Sequence, residues 1–295
     1  MNKKTIFTGS ATALITPIKN GAVDFHTLGS LIERQISNGT DALVICGTTG
    51  ECATLSDYEH RACISYTIEK ANGRAPVIAG TGSNDISYSK SLSRFASYSG
   101  ADALLVVTPY YNKATSKGLI KSFSEIADAS EKPLILYNVP SRTGCNIPLS
   151  VYRQLASHGN IAGIKEASGN VAVSERIIAE FGDKIDVYSG NDELTVPIMS
   201  VGGKGVISVV SNILPAETHE MCISCLQGDF NRGKKLQIEM LGLIDALFCE
   251  INPIPVKTAM EMLGLCSSEM RLPLCEMEDE NKSILKKALE NYGLI

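Results

Sequence analysis

The chain has 295 residues, 44% hydrophobic and 20% charged, and 27 basic against 32 acidic side chains leave a net charge of −5. Such a composition excludes disordered, collagen-like and coiled-coil chains, and the even, mildly acidic charge argues against nucleic acid or an anionic membrane as principal partner. No apolar run approaches the ~20 residues that cross a bilayer, and nine cysteines scattered from Cys46 to Cys275 read as free thiols in a reducing cytoplasm.

At the N-terminus, Lys3-Lys4 followed by Ile6-Phe7 faintly resembles a signal peptide, but Thr5, Thr8, Gly9, Ser10 and Thr12 interrupt the apolar stretch, so no targeting segment is expected. Short runs with few charges then recur at Thr12–Thr16, Ala42–Cys46, Val77–Gly80, Ala103–Val107, Leu134–Tyr137, Ala162–Ile164, Ile185–Tyr188 and Gly205–Val210. Runs of this kind are strands buried on both faces. Their centres lie 20 to 34 residues apart, and helix-like segments such as Phe25–Asn38, Asp57–Ala71 and Asp85–Ser99 fill the gaps. Gly39, Gly73 and Gly100 stand where each of those helices should end.

Eight strand–helix units predict an α/β fold, a (β/α)8 barrel. An open doubly wound sheet would need a glycine-rich turn after the first strand, where this chain has Thr16-Pro17-Ile18-Lys19-Asn20-Gly21. The 85 residues after Val210 exceed one closing helix and read as helices over Pro215–Gln227, Asp229–Cys249, Pro253–Leu263 and Asp279–Asn291. The expected organisation is a catalytic barrel over 1–214 and a helical extension over 215–295 packed on it. Cys222 and Cys225 fall on the first of those helices and read as packing residues.

Barrel active sites form where the strands end. The second strand ends in Gly47-Thr48-Thr49-Gly50-Glu51, the fourth in Tyr110-Tyr111-Asn112 and the fifth in Tyr137-Asn138-Val139-Pro140, running on to Arg142. The sixth carries Lys165-Glu166, the seventh Ser189-Gly190-Asn191-Asp192, and Ile207-Ser208 lies on the eighth. Lys165 follows the apolar run Ile161-Ala162-Gly163-Ile164. A lysine there loses hydration, its amine becomes a nucleophile, and such lysines form Schiff bases with carbonyl compounds. It could equally snorkel to the rim or pair with Glu166, and position alone leaves both readings open. Hydroxyls of Thr48, Thr49, Tyr110, Tyr111 and Tyr137 ring the same end, and tyrosine held in reach moves protons as a general acid/base. Gly202-Gly203-Lys204-Gly205 precedes a strand and reads as the turn into it, not as a phosphate loop. His26, His60, His158 and His219 lack metal-ligand spacing, so no metal, flavin, nicotinamide or pyridoxal phosphate site is expected.

Taken together, Gly47-Thr48-Thr49-Gly50-Glu51, Tyr110-Tyr111-Asn112, Tyr137-Asn138-Val139-Pro140-Ser141-Arg142-Thr143-Gly144, Gly163-Ile164-Lys165-Glu166-Ala167, Gly205-Val206-Ile207-Ser208-Val209 and Asn252-Pro253-Ile254-Pro255-Val256-Lys257 resemble the dihydrodipicolinate synthase family. That family sits within the pyruvate-dependent, Schiff-base class I aldolases and lyases. The resemblance spans essentially the whole chain. It implies a lyase of lysine and diaminopimelate biosynthesis that condenses pyruvate with L-aspartate 4-semialdehyde to give 4-hydroxy-tetrahydrodipicolinate. By the same resemblance Lys165 condenses with pyruvate, and Tyr137 shuttles protons through Thr48 to Tyr111, which a neighbouring subunit donates. Gly47 and Thr49 hold the pyruvate carboxylate, Gly190 contributes to substrate binding, Ile207 offers its carbonyl near the lysine, and Arg142 binds the second substrate's carboxylate. A homotetramer built as a dimer of dimers is implied, with no cofactor.

A sister aldolase acting on N-acetylneuraminate or 2-keto-3-deoxygluconate would share Lys165 and Tyr137, but Arg142 with Thr48-Thr49 favours the synthase. A non-catalytic binding barrel would not need a strand-end lysine ringed by tyrosines. A phosphate-binding barrel should carry a glycine-rich site after strands seven and eight, where Asn191-Asp192 and Ser211-Asn212 stand instead. Relatives regulated by L-lysine bind it at positions corresponding to Cys52, Ala53, Asp57, His60, Asn84, Tyr88 and Tyr110. Those relatives carry histidine in place of Asp57 and glutamate in place of Tyr88, so weak or absent inhibition is expected here.

Overall fold

The computed structural model describes residues 5–295, so Lys3-Lys4 lies outside the described residues. Eight parallel strands close into a barrel: Gly9–Ala13, Ala42–Ile45, Val77–Gly80, Ala103–Val107, Leu134–Asn138, Ile161–Glu166, Asp186–Ser189 and Gly205–Ser208, the eighth pairing with the first. Side chains alternate between the two faces of each strand. Ala42 and Val44 join the barrel interior with Ala11, Ile78, Leu105, Ile135 and Ile207, whereas Leu43 and Ile45 join the core beneath the helices. Inside the barrel the Tyr188 and Phe7 rings stack with centroids 4.3 Å apart, and the Tyr188 hydroxyl donates to the Phe7 carbonyl at 2.8 Å.

Local sequence explains the helix boundaries. The helix Asp57–Ala71 starts at a capping box in which Ser56 and Glu59 exchange hydrogen bonds with each other's backbone. The third helix begins at Ile86 because Asp85 is its cap, accepting from the Ser87 amide, and it ends on Gly100 at φ +100. That conformation is open to glycine at little steric cost.

Three strands depart from the sequence-based expectation by two or more residues, and the sixth is longer than Ala162–Ile164, running over Ile161–Glu166. The first runs over Gly9–Ala13 and not Thr12–Thr16, because Ala11 and Thr12 have partners in both neighbouring strands while Ile15 and Thr16 lie beyond the ladder. The Ile15 amide donates to Asn212 Oδ1 at 3.3 Å and the Thr16 hydroxyl to the Gly50 carbonyl at 2.7 Å. Their β-branched character reflects burial at the barrel mouth. The eighth strand stops at Ser208, since the Asp192 carboxylate accepts from the Val209 and Val210 amides at 2.9 and 3.0 Å and turns the chain. A small hairpin that the sequence pattern does not announce pairs Ile18–Lys19 with Ala22–Val23.

The C-terminal segment forms helices over Pro215–Leu226, Phe230–Leu247, Ile254–Met262 and Asp279–Tyr292. One hydrophobic cluster joins Met221, Met240, Val256 and Leu285 from these helices to Ile15, Val206 and Val209 of the barrel. All nine cysteines are free, and Cys222 and Cys225 are buried in the first of these helices. Among the described residues no helix is long and apolar enough to cross a membrane.

Candidate active site

Lys165 occupies the penultimate position of the sixth strand, in register with Tyr137 on one side and Tyr188 on the other. It shares the inward parity of these residues and is 6% exposed, with Nζ 4.5 Å from the centre of the Tyr137 ring. Glu166, one residue on, faces the opposite way, and its carboxylate accepts from Asn138 Nδ2 at 3.0 Å and from the Ser168 amide at 2.7 Å. The pairing with Glu166 that the sequence left open is therefore not formed. Burial lowers the Lys165 pKa to about 8, the nearby Asp192 carboxylate opposes that drop, and the Arg142 charge adds to it. An amine in this state keeps a far larger neutral fraction near physiological pH than an ordinary lysine, and the neutral form can attack a carbonyl carbon.

The groups around it come from several strand ends. Burial raises the pKa of the Tyr137 phenol, while the Arg142 charge and a hydrogen bond to the Thr48 hydroxyl pull it the other way. Tyr137 and Thr48 are thus hydrogen-bonded side chain to side chain. The Gly47–Glu51 segment is a tight turn in which the Gly50 amide donates to the Gly47 carbonyl and the Glu51 amide to the Thr48 carbonyl, each at 3.1 Å. Thr49 is buried and accepts a 3.0 Å hydrogen bond from Asn252 Nδ2. Arg142 lies on the one-turn helix Pro140–Thr143 and donates to the Asn252 carbonyl at 2.8 Å. Asn252 therefore ties Thr49 to Arg142 across the mouth. Gly190 passes so close to the lysine that a Cβ there would lie 3.1 Å from Lys165 Cε and 2.6 Å from the Ala167 Cβ. Ile207 is fully buried on the eighth strand beside Ala11.

A cavity of about 280 Å³ opens over this end of the barrel, lined by Thr48, Cys52, Tyr110, Val139, Arg142 and Asn252 among others. Tyr111 is not gathered into the site of its own chain: it is 92% exposed on a left-handed backbone, φ +68.

The residues expected at a lysine-binding position divide into two groups. Cys52, Ala53 and Tyr110 line the cavity. Asp57 instead pairs with Arg61 at 2.9 Å and hydrogen-bonds Tyr88, whose phenol burial and that carboxylate push up to about 12. His60 is buried with Nε2 2.8 Å from the Gly80 carbonyl, and burial pulls its pKa down. The Asn84 carbonyl accepts from Asn112 Nδ2 at 3.0 Å.

Three residues of this region received no role from the sequence. Asn252 and Lys257 belonged to a motif without a visible task, although a lone lysine inside the apolar stretch Ile254-Pro255-Val256-Lys257-Thr258-Ala259-Met260 is itself a signal. Glu51 closes the Gly-Thr-Thr-Gly turn, and its Lys257 partner lies 206 positions away. No group of three or more potential metal-ligating side chains occurs among the described residues.

A (β/α)8 barrel with a buried amine at the C-terminal end of its sixth strand, beside a tyrosine ring, is the arrangement of this chain, and with its named relatives it places the protein among the (β/α)8-barrel lyases. The chain belongs to the dihydrodipicolinate synthetase family, whose model matches residues 6–292. It is 50% identical over 291 residues to a 4-hydroxy-tetrahydrodipicolinate synthase from Thermoanaerobacter sp., covering 98% of each protein. The structure of the chloride-inhibited dihydrodipicolinate synthase from Acinetobacter baumannii complexed with pyruvate is 43% identical, covers 99% of this chain and 100% of that one, and superposes with a TM-score of 0.96. An enzyme of this family from Cyanidioschyzon merolae, solved with lysine bound, is 35% identical over 99% of this chain and 100% of its own, with a TM-score of 0.95.

Proposed function

We propose that this barrel condenses pyruvate with L-aspartate 4-semialdehyde, and that Lys165 is its Schiff-base residue. The observation that carries the reading is the Lys165 amine itself, 6% exposed and lowered to a pKa of about 8 beneath the Tyr137 ring. Neutral Nζ attacks the ketone carbon of pyruvate, and loss of water from the carbinolamine leaves an iminium. The iminium withdraws electrons, so the methyl carbon gives up a proton and becomes an enamine. That carbon attacks the aldehyde and forms the new C–C bond. The amino group of the second substrate then adds to the iminium carbon, the C–N bond to Lys165 breaks, and the ring closes with the amine regenerated.

Tyr137, linked to Thr48, moves the protons of these steps, and Tyr111 completes the path from the neighbouring subunit. A ring that is 92% exposed in the single chain suits that role, and so does a homotetramer of two tight dimers. Gly47 and Thr49 hold the pyruvate carboxylate, Gly190 and Ile207 wall the lysine, and Arg142 takes the carboxylate of the second substrate as an oriented cation. Residues 215–295 act as an extension of the catalytic unit 1–214, since Asn252 reaches into the mouth. No cofactor enters the chemistry, and the free thiols accord with a cytoplasmic setting.

The deciding experiment reduces the protein with borohydride in the presence of pyruvate and maps the adduct. Modification of Lys165 is expected, and an adduct at Lys257 or Lys204, or none, refutes the assignment. Consumption of pyruvate with aspartate semialdehyde, but not with N-acetylmannosamine, separates this activity from that of the sugar-acid aldolases.

A further inference from the structure

The most completely buried ion pair outside the reacting groups joins Lys257 of the C-terminal extension to Glu51, at 2.6 Å, with side-chain exposures of 0% and 1%. All three ammonium protons have acceptors: Glu51 Oε1, the Thr16 carbonyl at 3.2 Å and the Glu269 carbonyl at 2.6 Å. Such a pair is weak support for stability, because the cost of desolvating both ions offsets much of their attraction. Its location is more informative. Glu51 is the last residue of the Gly47–Glu51 turn and holds a left-handed backbone at φ +54, which a non-glycine residue keeps only under tertiary constraint. Its amide donates to the Thr48 carbonyl, so a displacement of Glu51 passes directly to Thr48. Its second carboxylate oxygen accepts from the Arg271 amide at 3.4 Å. One turn before Lys257 the same segment grips Thr49 through Asn252, and Thr16, which shares the ammonium, also holds the Gly50 carbonyl.

We propose that Lys257 is a positioning residue: through Glu51 it fixes the Gly47–Glu51 turn and so sets where Thr48 and Thr49 present their hydroxyls to the keto acid. This rests on the proposed role of that turn in holding the pyruvate carboxylate. The C-terminal helices then do more than cover the barrel, since one of them sets the geometry of the first substrate's site.

The test follows borohydride trapping of Lys165 against pyruvate concentration in wild type, Lys257→Met, Glu51→Gln and the double variant Glu51→Gln/Lys257→Met, with urea midpoints measured alongside. Lys257→Met strands a buried carboxylate and loses stability, and the double variant removes that charge and recovers most of it. The half-saturating pyruvate concentration should rise about tenfold in both, below the ~100-fold that a 1 Å misplacement costs, with adduct at saturating pyruvate retained. A folded double variant with wild-type half-saturation overturns the positioning role. If the double variant does not fold, Glu51→Gln decides on the same measurement: it weakens the tie from a charged to a neutral hydrogen bond, so half-saturation should rise, and a wild-type value overturns the positioning role. Absence of any Lys165 adduct in the wild type would instead remove the Schiff-base reading on which this one stands.

Discussion

If Lys165 is the Schiff-base residue as proposed, its protonation sets the rate of the first chemical step, and the pH dependence of that step follows from the structure. A lysine with an ordinary value of 10.5 is lowered here to about 8 by burial. That gap is roughly a 300-fold change in acid dissociation, or ~3 kcal/mol against the ammonium form. At pH 7 about a tenth of the side chain is then neutral amine, against roughly one part in 3000 for an unperturbed lysine. Cyanoborohydride trapping at subsaturating pyruvate should therefore climb about tenfold per pH unit well below 8 and level off above it. Asp192→Asn removes the carboxylate that opposes the shift and should move the midpoint down, whereas Arg142→Ala removes a neighbouring cation and should move it up. A midpoint close to 10.5, or one indifferent to both variants, would refute the reasoning. The linkage carries its own sign. Between about pH 8 and 10.5 the unfolded chain keeps a proton that the folded chain has released, so stability rises with pH across that window. Below it the full penalty applies, so Lys165→Met should be more stable than wild type at pH 7, by up to ~3 kcal/mol, while forming no adduct.

Gly190→Ala would bring a Cβ within 2.6 Å of the Ala167 Cβ and 3.1 Å of Lys165 Cε, so something must shift. Its kcat/KM should fall by up to ~100-fold, and a wild-type value would show that Gly190 does not constrain the lysine. Subunits carrying Lys165→Ala and Tyr111→Phe, each inactive alone, should regain activity when mixed and reassociated, because a mixed dimer rebuilds one intact site. Mixtures as inactive as their parents would place Tyr111 in its own subunit's site. L-lysine should inhibit weakly, since the Asp57 carboxylate beside Tyr88 is already bonded to Arg61 and to Tyr88 itself, and the Asp85 carboxylate is engaged in capping the helix that carries Tyr88. Half-inhibition below roughly 1 mM, about 4 kcal/mol of affinity, would contradict this.

Much of the molecule was legible from local signals. Uncharged runs at regular intervals mark strands buried on both faces, and glycines such as Gly100 mark helix ends, because burial and capping act over a few residues. Lys165 stood out for the same reason: a charge directly after an apolar strand is visible without knowing what surrounds it. What the chain pattern could not convey is which way a side chain faces and what it meets. Period-two alternation turned Lys165 inward and Glu166 outward once the sixth strand's register was set against its neighbours. The first strand ended earlier than its β-branched residues suggested, because a ladder needs partners on both sides and Ile15 and Thr16 have none there. The tertiary structure alone brought Asn252 to Thr49 and Lys257 to Glu51 across more than 200 positions. No local preference encodes such pairs. They form because closing the barrel carries the C-terminal helices over its mouth, where a buried ammonium must find acceptors.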